Sequence, residues 1–250
     1  MSAVSTFEIR RGADRARTST EWLDSRHSFA FGSHYDPDNT GFGVLLANNS
    51  DVLQPGPGYP VHSHRDVEIL TWVVAGSLIH QECGGAATVI RTGQLHYLSA
   101  GSGIRHTEFS ADDQPVHLVQ MWLAPDELGL PPTSRLLQPG DRLAGAALVQ
   151  LASGLAGPQS PDVLRIRQRA AALSVARLPA GAAVTLPAAR YLHVFLTSGS
   201  GRFETGDGQI LGVLAAGDAL RITDGDGERM SADEPATVLV WELGPATPQP

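Results

Sequence analysis

Lysine, cysteine and long apolar runs are absent or scarce in this sequence of 250 residues. All 18 basic residues are arginine, which we interpret as a compositional bias rather than a functional signal. Cys83 is the single cysteine, so no intrachain disulfide can form, as is typical of a reducing compartment. No run of about 18 apolar residues occurs, and the N-terminus lacks an apolar segment followed by a cleavage site. The sequence therefore predicts a soluble cytoplasmic protein without a membrane partner.

Positive charge is also in short supply. The 26 acidic residues outnumber the 18 basic ones, which gives a net charge of −8. No cluster of arginines has the density that proteins use to neutralise phosphates. We therefore expect no direct nucleic-acid partner.

Clean helical periodicity is missing from every long segment. Instead, short β-rich runs such as VEILTWVVAG, VHLVQMWLA and YLHVFLT are separated by Gly, Pro, Asp and Asn. The 27 glycines and 17 prolines supply many turns. This pattern predicts an all-β protein, an antiparallel sandwich or barrel with little helix.

Length alone permits one domain or two. The β pattern fades over residues 126–162, which are rich in Pro, Gly and Ser, and resumes at about residue 163. We predict an N-terminal domain over residues 1–125, a connecting segment over 126–162 and a C-terminal domain over 163–250.

The two predicted domains resemble each other. Residues 56–77 overlie residues 181–202 at an offset of 125, which places Gly76 on Gly201. A second short match aligns residues 91–95 with residues 215–219. Two copies of one β unit are therefore predicted.

Two pairs of polar residues stand out, His62 with His64 and His106 with Glu108. Each pair has i, i+2 spacing, and side chains two positions apart on a strand point to the same side. If the two strands face each other across a barrel, four ligands converge. Three imidazoles and one carboxylate suit a divalent Fe, Mn, Ni, Cu or Zn ion rather than Ca or Mg.

An alternative carboxylate remains open. Glu68 also lies an even number of positions from a histidine, so strand parity alone cannot choose between Glu68 and Glu108. The histidine pairs can also be interpreted as ordinary strand residues that are hydrogen-bonded in the core.

The residues Gly56, His62, His64 and Glu68 resemble the first motif of the cupin superfamily, Gly-x5-His-x-His-x3-Glu. The longer stretches HSHRDVEILTWVVAGSLIHQE, SAGSGIRHTEF, WLDSRHSFAF and YDPDNTGFG resemble the bacterial pirins, a group that includes quercetinase-like members. The resemblance covers nearly the whole chain and is strongest over residues 20–125. It implies two cupin-type antiparallel β-barrels, a bicupin.

The same resemblance implies that the carboxylate ligand is Glu108, from the second strand, with Glu68 in a supporting role. Two positions depart from the family pattern, because Ser63 and Ser99 stand where prolines are common. Neither change removes a ligand.

The repeat alignment places Pro187, Ala189, Met230 and Ala232 at the four ligand positions of the second copy. None of these side chains is a good ligand, so the C-terminal domain is predicted to hold no metal. Other histidines are interpreted as core or surface residues, except for two in the pirin-like N-terminal text that have possible orienting or gating roles. The first set is His80, His96, His117 and His193, and the second is His27 and His34.

The resemblance implies a dioxygenase of the quercetinase type. One divalent metal, Fe(II) before Mn, Ni, Cu or Zn, is expected to bind an aromatic or enol substrate beside O2, with Glu108 as proton acceptor. Phe42, Leu45 and Trp122 are expected to line the pocket. The alternatives are a redox-responsive regulatory module that binds a protein partner, and an isomerase or lyase that needs no oxygen.

Overall fold

The computed structural model describes residues 5–157 and 160–245. Within these ranges the protein consists of 22 strands and two short 3-10 helices, Gly12–Asp14 and Gly140–Leu143. The prediction of an all-β protein with little helix is confirmed. None of the helices in the described ranges has the length and apolar character needed to cross a membrane.

Eleven consecutive strands form two sheets, which we call the N-terminal unit. Their bounds are β2 (Ala16–Ser19), β3 (Leu23–His27), β4 (Leu45–Leu53), β5 (Tyr59–His64), β6 (Glu68–Ala75), β7 (Ser77–Glu82), β8 (Ala87–Arg91), β9 (Leu95–Ser99), β10 (Ile104–Ser110), β11 (Val116–Leu123) and β12 (Thr133–Leu137). The seven-stranded sheet has the order β12-β9-β6-β11-β4-β3-β2, and the four-stranded sheet has the order β5-β10-β7-β8.

The remaining strands form the C-terminal unit. They are β1 (Thr6–Arg10), β13 (Val149–Ser153), β14 (Leu164–Arg165), β15 (Ala171–Leu178), β16 (Ala183–Thr185), β17 (Ala189–Ser198), β18 (Ser200–Glu204), β19 (Ile210–Ala215), β20 (Ala219–Gly225), β21 (Arg229–Ala232) and β22 (Ala236–Leu243). The seven-stranded sheet has the order β1-β20-β17-β22-β15-β13-β14, and the four-stranded sheet has the order β16-β21-β18-β19.

The central strands of the seven-stranded sheets, such as β6 and β17, are buried on both faces, which explains their nearly continuous apolar sequences. On β6, Leu70 and Trp72 belong to a large cluster that includes residues of both units, whereas Val73 packs inside the N-terminal unit. On β17, Phe195 joins the same shared cluster, and Leu196 packs inside the C-terminal unit. Period-2 alternation therefore joins the two large sheets through one shared core.

The two units have matching strand orders, which confirms the predicted duplication. Strand register corrects one part of the predicted alignment, because the counterpart of Gly76 is Gly199 and not Gly201. Both glycines have a positive φ, 80° and 78°, and a Cβ at either one would collide with the carbonyl oxygen of Pro115 or Pro235. Only glycine fits this turn without strain.

The sheets cross the predicted boundaries at two places. Strand β1, from the start of the chain, pairs with β20 of the C-terminal unit, and Thr6 lies opposite Thr223. The predicted connecting segment contains β12 and β13, which belong to the large sheets of the N- and C-terminal units. The boundaries at residues 125 and 163 stay a prediction, but each unit contains strands from beyond them.

Candidate metal centre

The two predicted histidine-bearing segments are neighbouring strands of the four-stranded sheet. On β5 and β10, His62 lies directly opposite His106, and His64 lies opposite Ile104. The two strands therefore lie side by side in one sheet and do not face each other across a barrel. Their side chains meet because cross-strand neighbours on one face of a sheet lie close together.

The three histidines form a tight group. Their ring centroids are 4.3 Å apart for His62 and His106, 4.8 Å for His62 and His64, and 5.0 Å for His64 and His106. One ring nitrogen of each lies within 4.8 Å of the others. This arrangement gives three nitrogen donors for a single metal ion.

Hydrogen bonding shows which nitrogens are free. The Nδ1 of His62 lies 2.8 Å from the carbonyl oxygen of Pro60, so Nδ1 carries the proton and Nε2 keeps its lone pair. The Nε2 of His106 is buried and has no hydrogen-bond partner in the described part of the chain. A buried nitrogen without a partner costs free energy, and a bound metal ion would satisfy it.

Burial keeps His64 and His106 neutral. It lowers the pKa of His64 to about 4 and that of His106 to about 3. Neutral imidazole is the form that binds a metal, so both side chains are in the binding form at neutral pH.

Glu108 lies on β10 two positions after His106, and its carboxylate is close to His80 on the neighbouring strand β7. Its Oε1 is 3.5 Å from the Nδ1 of His80, and its Oε2 accepts a hydrogen bond of 3.1 Å from the amide of Gln120. Burial alone would raise the pKa of this carboxyl, but His80, His106 and Gln120 outweigh burial and lower the pKa to about 2. The carboxylate is therefore ionised, and it forms a second potential metal-binding group with His80 and His106.

Glu68 lies in a different environment. Its Oε2 accepts hydrogen bonds from the hydroxyl of Tyr97 at 2.5 Å and from the backbone N–H of Arg167 at 2.8 Å. These partners tie Glu68 to the chain that enters the C-terminal unit. Within the described residues, Glu68 belongs to neither potential metal-binding group.

A cavity of about 210 Å³ adjoins the histidines. Phe31 and Trp122 form an aromatic wall with ring centroids 5.1 Å apart, and Trp122 is also 5.1 Å from His64. Trp122 therefore lines the cavity as expected. Phe42 and Leu45 do not, because both pack in the core shared by the two units.

The opposite wall is polar and was missed by the sequence reasoning. Asp51 lines the cavity and accepts hydrogen bonds from Ser25 at 2.5 Å and from the hydroxyl of Tyr59 at 3.1 Å. Burial raises the pKa of Asp51 to about 6. Asn49 and Gln120 complete this wall. In the sequence, this polar wall could have been predicted from the polar residues within the otherwise apolar β4.

The other histidines differ in their distance from the site. His80 is buried against Glu108 and His106, and His96 follows with its ring 4.5 Å from that of His80. His27 stacks on Phe31 at 5.0 Å, and His34 lies 5.6 Å from His27, so both adjoin the aromatic wall. A gating role for these two stays a prediction.

The C-terminal unit has different side chains at the corresponding place. Strand register makes Met230 the counterpart of Glu108 and Phe203 the counterpart of His80. The sequence alignment had matched Met230 with His106, which is wrong by two positions. Both Met230 and Phe203 are buried in the core of the C-terminal unit.

Comparison with known proteins places these observations in a family. The family model described as Pirin matches residues 10–123. A protein of Mycobacterium tuberculosis (strain H37Rv), named "Putative quercetin 2,3-dioxygenase", is 47% identical over 241 residues, which is 96% of each chain. A "Pirin-like protein" of Caulobacter vibrioides is 35% identical over 200 residues, 79% of this chain and 82% of that one.

A solved structure agrees over the same extent. The bacterial pirin YhhW of Escherichia coli in complex with nickel(II) superposes with a TM-score of 0.84 at 29% identity. The match covers 96% of this chain and 100% of that one.

Proposed function

This chain belongs to the pirin family, and from that membership we propose that it is a metal-dependent dioxygenase of the quercetin 2,3-dioxygenase type. The observation that supports the proposal most is the placement of three histidines and an ionised carboxylate beside a cavity with an aromatic wall. The names of similar proteins point to the same reaction.

The proposed ligands are His62, His64, His106 and Glu108, and the proposed ion is one divalent transition metal. Fe(II) is our first choice because the reaction uses O2, with Mn, Ni, Cu or Zn as alternatives. A similar pirin has been crystallised in complex with nickel(II), which supports the choice of a divalent ion. When bound, such a metal would polarise a substrate oxygen and provide a site for O2.

The residues of the chain have separate tasks in this proposal. Glu108, ionised and held by a hydrogen bond from Gln120, accepts the proton of the substrate hydroxyl. Phe31 and Trp122 cover the flat face of an aromatic or enol substrate and exclude water from it. No protein or nucleic-acid partner is needed for this chemistry.

The proposal includes the finer architecture. We infer that each pair of sheets closes into a cupin-type barrel, with the metal in the N-terminal barrel and none in the C-terminal one. The matching strand orders support this inference. The C-terminal barrel would then serve as a support that packs on the first, in a cytoplasmic protein.

Elemental analysis of the purified protein tests the metal, and oxygen uptake with quercetin tests the reaction. The protein would be loaded in turn with Fe, Mn, Ni, Cu and Zn. We expect one metal per chain and uptake with at least one ion. One metal without uptake on any flavonol would contradict the dioxygenase proposal, and a redox-dependent pull-down would then test the regulatory alternative.

A further inference from the structure

We propose that His80 is a positioning residue of the metal site, which holds His106 in the orientation that metal binding requires. The inference rests on the proposed function, because it concerns the same ligands. His80 matches no part of the histidine-pair motif, and its role follows from its contacts alone.

His80 is placed at the site by strand pairing. It lies on β7, which is hydrogen-bonded to β10, and it is directly opposite Glu108. Its side chain is 1% exposed, so it has no room to turn towards solvent. Its ring packs against His96, and the Nε2 of His96 lies 2.8 Å from the hydroxyl of Ser134. His80 is therefore held both by the pairing of β7 with β10 and by the packing of its ring against His96.

The contact with His106 determines where the protons lie. The two Nδ1 atoms are 3.0 Å apart, so one of them must donate a proton to the other. If His106 binds metal through its buried Nε2, its proton is on Nδ1, and His80 must accept it. The Nε2 of His80 then carries the proton of that ring, facing Glu82 Oε1 at 3.9 Å. A hydrogen bond to the second nitrogen of a metal-binding histidine fixes both its tautomer and its ring orientation.

His80 also packs against the carboxylate of Glu108, the second proposed ligand on β10, but donates no hydrogen bond to it, because its Nδ1 accepts the proton of His106. The carboxylate lies between His80 on one side, at 3.5 Å, and the amide of Gln120 on the other, at 3.1 Å. His80 therefore touches both proposed ligands of this strand. Its counterpart in the C-terminal unit is Phe203, a side chain of similar shape without nitrogen.

Metal titration of three variants tests the role. His80→Phe keeps the ring shape and removes both nitrogens, and His80→Gln keeps a hydrogen-bond acceptor. His193→Gln is the matched control, since it replaces another fully buried histidine far along the chain from the proposed ligands. Circular dichroism establishes that each variant is folded, and Co(II) and Ni(II) are the probes.

We expect His80→Phe to bind metal about 10- to 100-fold more weakly, the range for loss of such a supporting contact. His80→Gln should recover most of that loss, and His193→Gln should bind like the wild type. Unchanged affinity in a folded His80→Phe variant would overturn the inference.

The Co(II) absorption spectrum separates a positioning residue from a ligand. At saturation, His80→Gln should keep the band positions and intensities of the wild type. A changed coordination spectrum would mean that His80 binds the metal itself, and the inference would be wrong.

A measurement without metal separates this inference from the proposed function. Two-bond 1H–15N spectra of the imidazoles should show His106 protonated on Nδ1 in the wild type, and a shifted tautomer balance in His80→Phe. Protonation of His106 on Nε2 in the wild type would contradict the role of His80. Failure of the wild type to bind any metal would instead overturn the proposed metal site.

Discussion

The two units share one strand order but differ at several interior positions. Register matches five polar interior positions of the N-terminal unit with five apolar ones of the C-terminal unit. The pairs are His80 with Phe203, Glu108 with Met230, Gln120 with Val240, His96 with Leu220, and Asp51 with Ala176. All five apolar partners belong to one buried cluster.

This difference separates stability from chemistry within one architecture. An apolar interior stabilises the fold through burial, whereas buried charges must be hydrogen-bonded to be tolerated. In the N-terminal unit, Glu108 and Asp51 are each held by donors from neighbouring strands. The strand order therefore sets the scaffold, and the interior side chains decide what a unit can do.

Removing a histidine ligand should have the largest effect on metal binding and little effect on folding. We expect His106→Ala to abolish tight metal binding while the protein still folds, because the apolar cores supply most of the stability. Isothermal titration measures the binding and circular dichroism the folding. Unfolding of His106→Ala under native conditions would contradict the separation of the two roles.

Glu108→Gln tests the chemistry of the N-terminal interior while keeping the shape of the side chain. We expect retained but weaker metal binding and a loss of oxygen uptake of about 10²- to 10⁴-fold, the usual contribution of a positioned base. Uptake is measured with an oxygen electrode at saturating metal. If Glu68→Gln has this effect and Glu108→Gln does not, the ligand assignment is wrong.

Phe203→Ala tests how much the apolar interior of the C-terminal unit contributes to stability. We expect the free energy of unfolding to fall by about 3–5 kcal/mol, because the side chain is fully buried and leaves a cavity. Urea unfolding measures this loss, and metal content serves as the control that should not change. A loss below about 1 kcal/mol would show that the C-terminal interior is not the main support.

The smallest expected effect is on the pH dependence of stability, and it concerns a histidine that lies outside the interiors of both units. His193 stands where the N-terminal unit has Leu70, and burial, with Arg221 and Arg15 nearby, lowers the pKa of His193 to about 3. In the unfolded chain the His193 imidazole binds a proton below about pH 6.5, whereas in the folded protein it stays neutral down to about pH 3. The free energy of unfolding therefore falls as the pH drops from about 6.5 towards 3. We expect His193→Leu to lose less stability between pH 7 and pH 4 than the wild type in urea titrations. An unchanged pH slope would exclude His193 as a contributor.

Local patterns could be predicted from the sequence, and contacts between distant strands could not. The i, i+2 spacing of His62 with His64 correctly indicated side chains on one face, because strand periodicity is a local property. That β5 lies beside β10, and that β7 brings His80 to the same place, depends on strand pairing. A single sequence does not show which strands pair.

The glycine alignment failed for a related reason. Gly76 corresponds to Gly199 because the offset between residues matched by strand register falls from 125, for Tyr59 and Val184, to 123, for Val73 and Leu196. A constant offset cannot follow such a change in length. The prediction that Phe42 and Leu45 line the pocket was wrong, because the sequence pattern of an apolar residue is the same whether its side chain faces a cavity or the core.

The pairing of β1 with β20 also governs the order in which the molecule is completed during translation. Thr6 meets Thr223, a partner made 217 residues later, whereas every strand of the N-terminal unit has been made once residue 137 is reached. At a synthesis rate of about 5–20 residues per second, β1 waits roughly 10–40 s on the ribosome for its place in the sheet. Strand β1 is therefore made before every strand of the N-terminal unit but docks after them. A partly made chain can complete the sheets around the candidate metal-binding histidines before β1 has joined the fold.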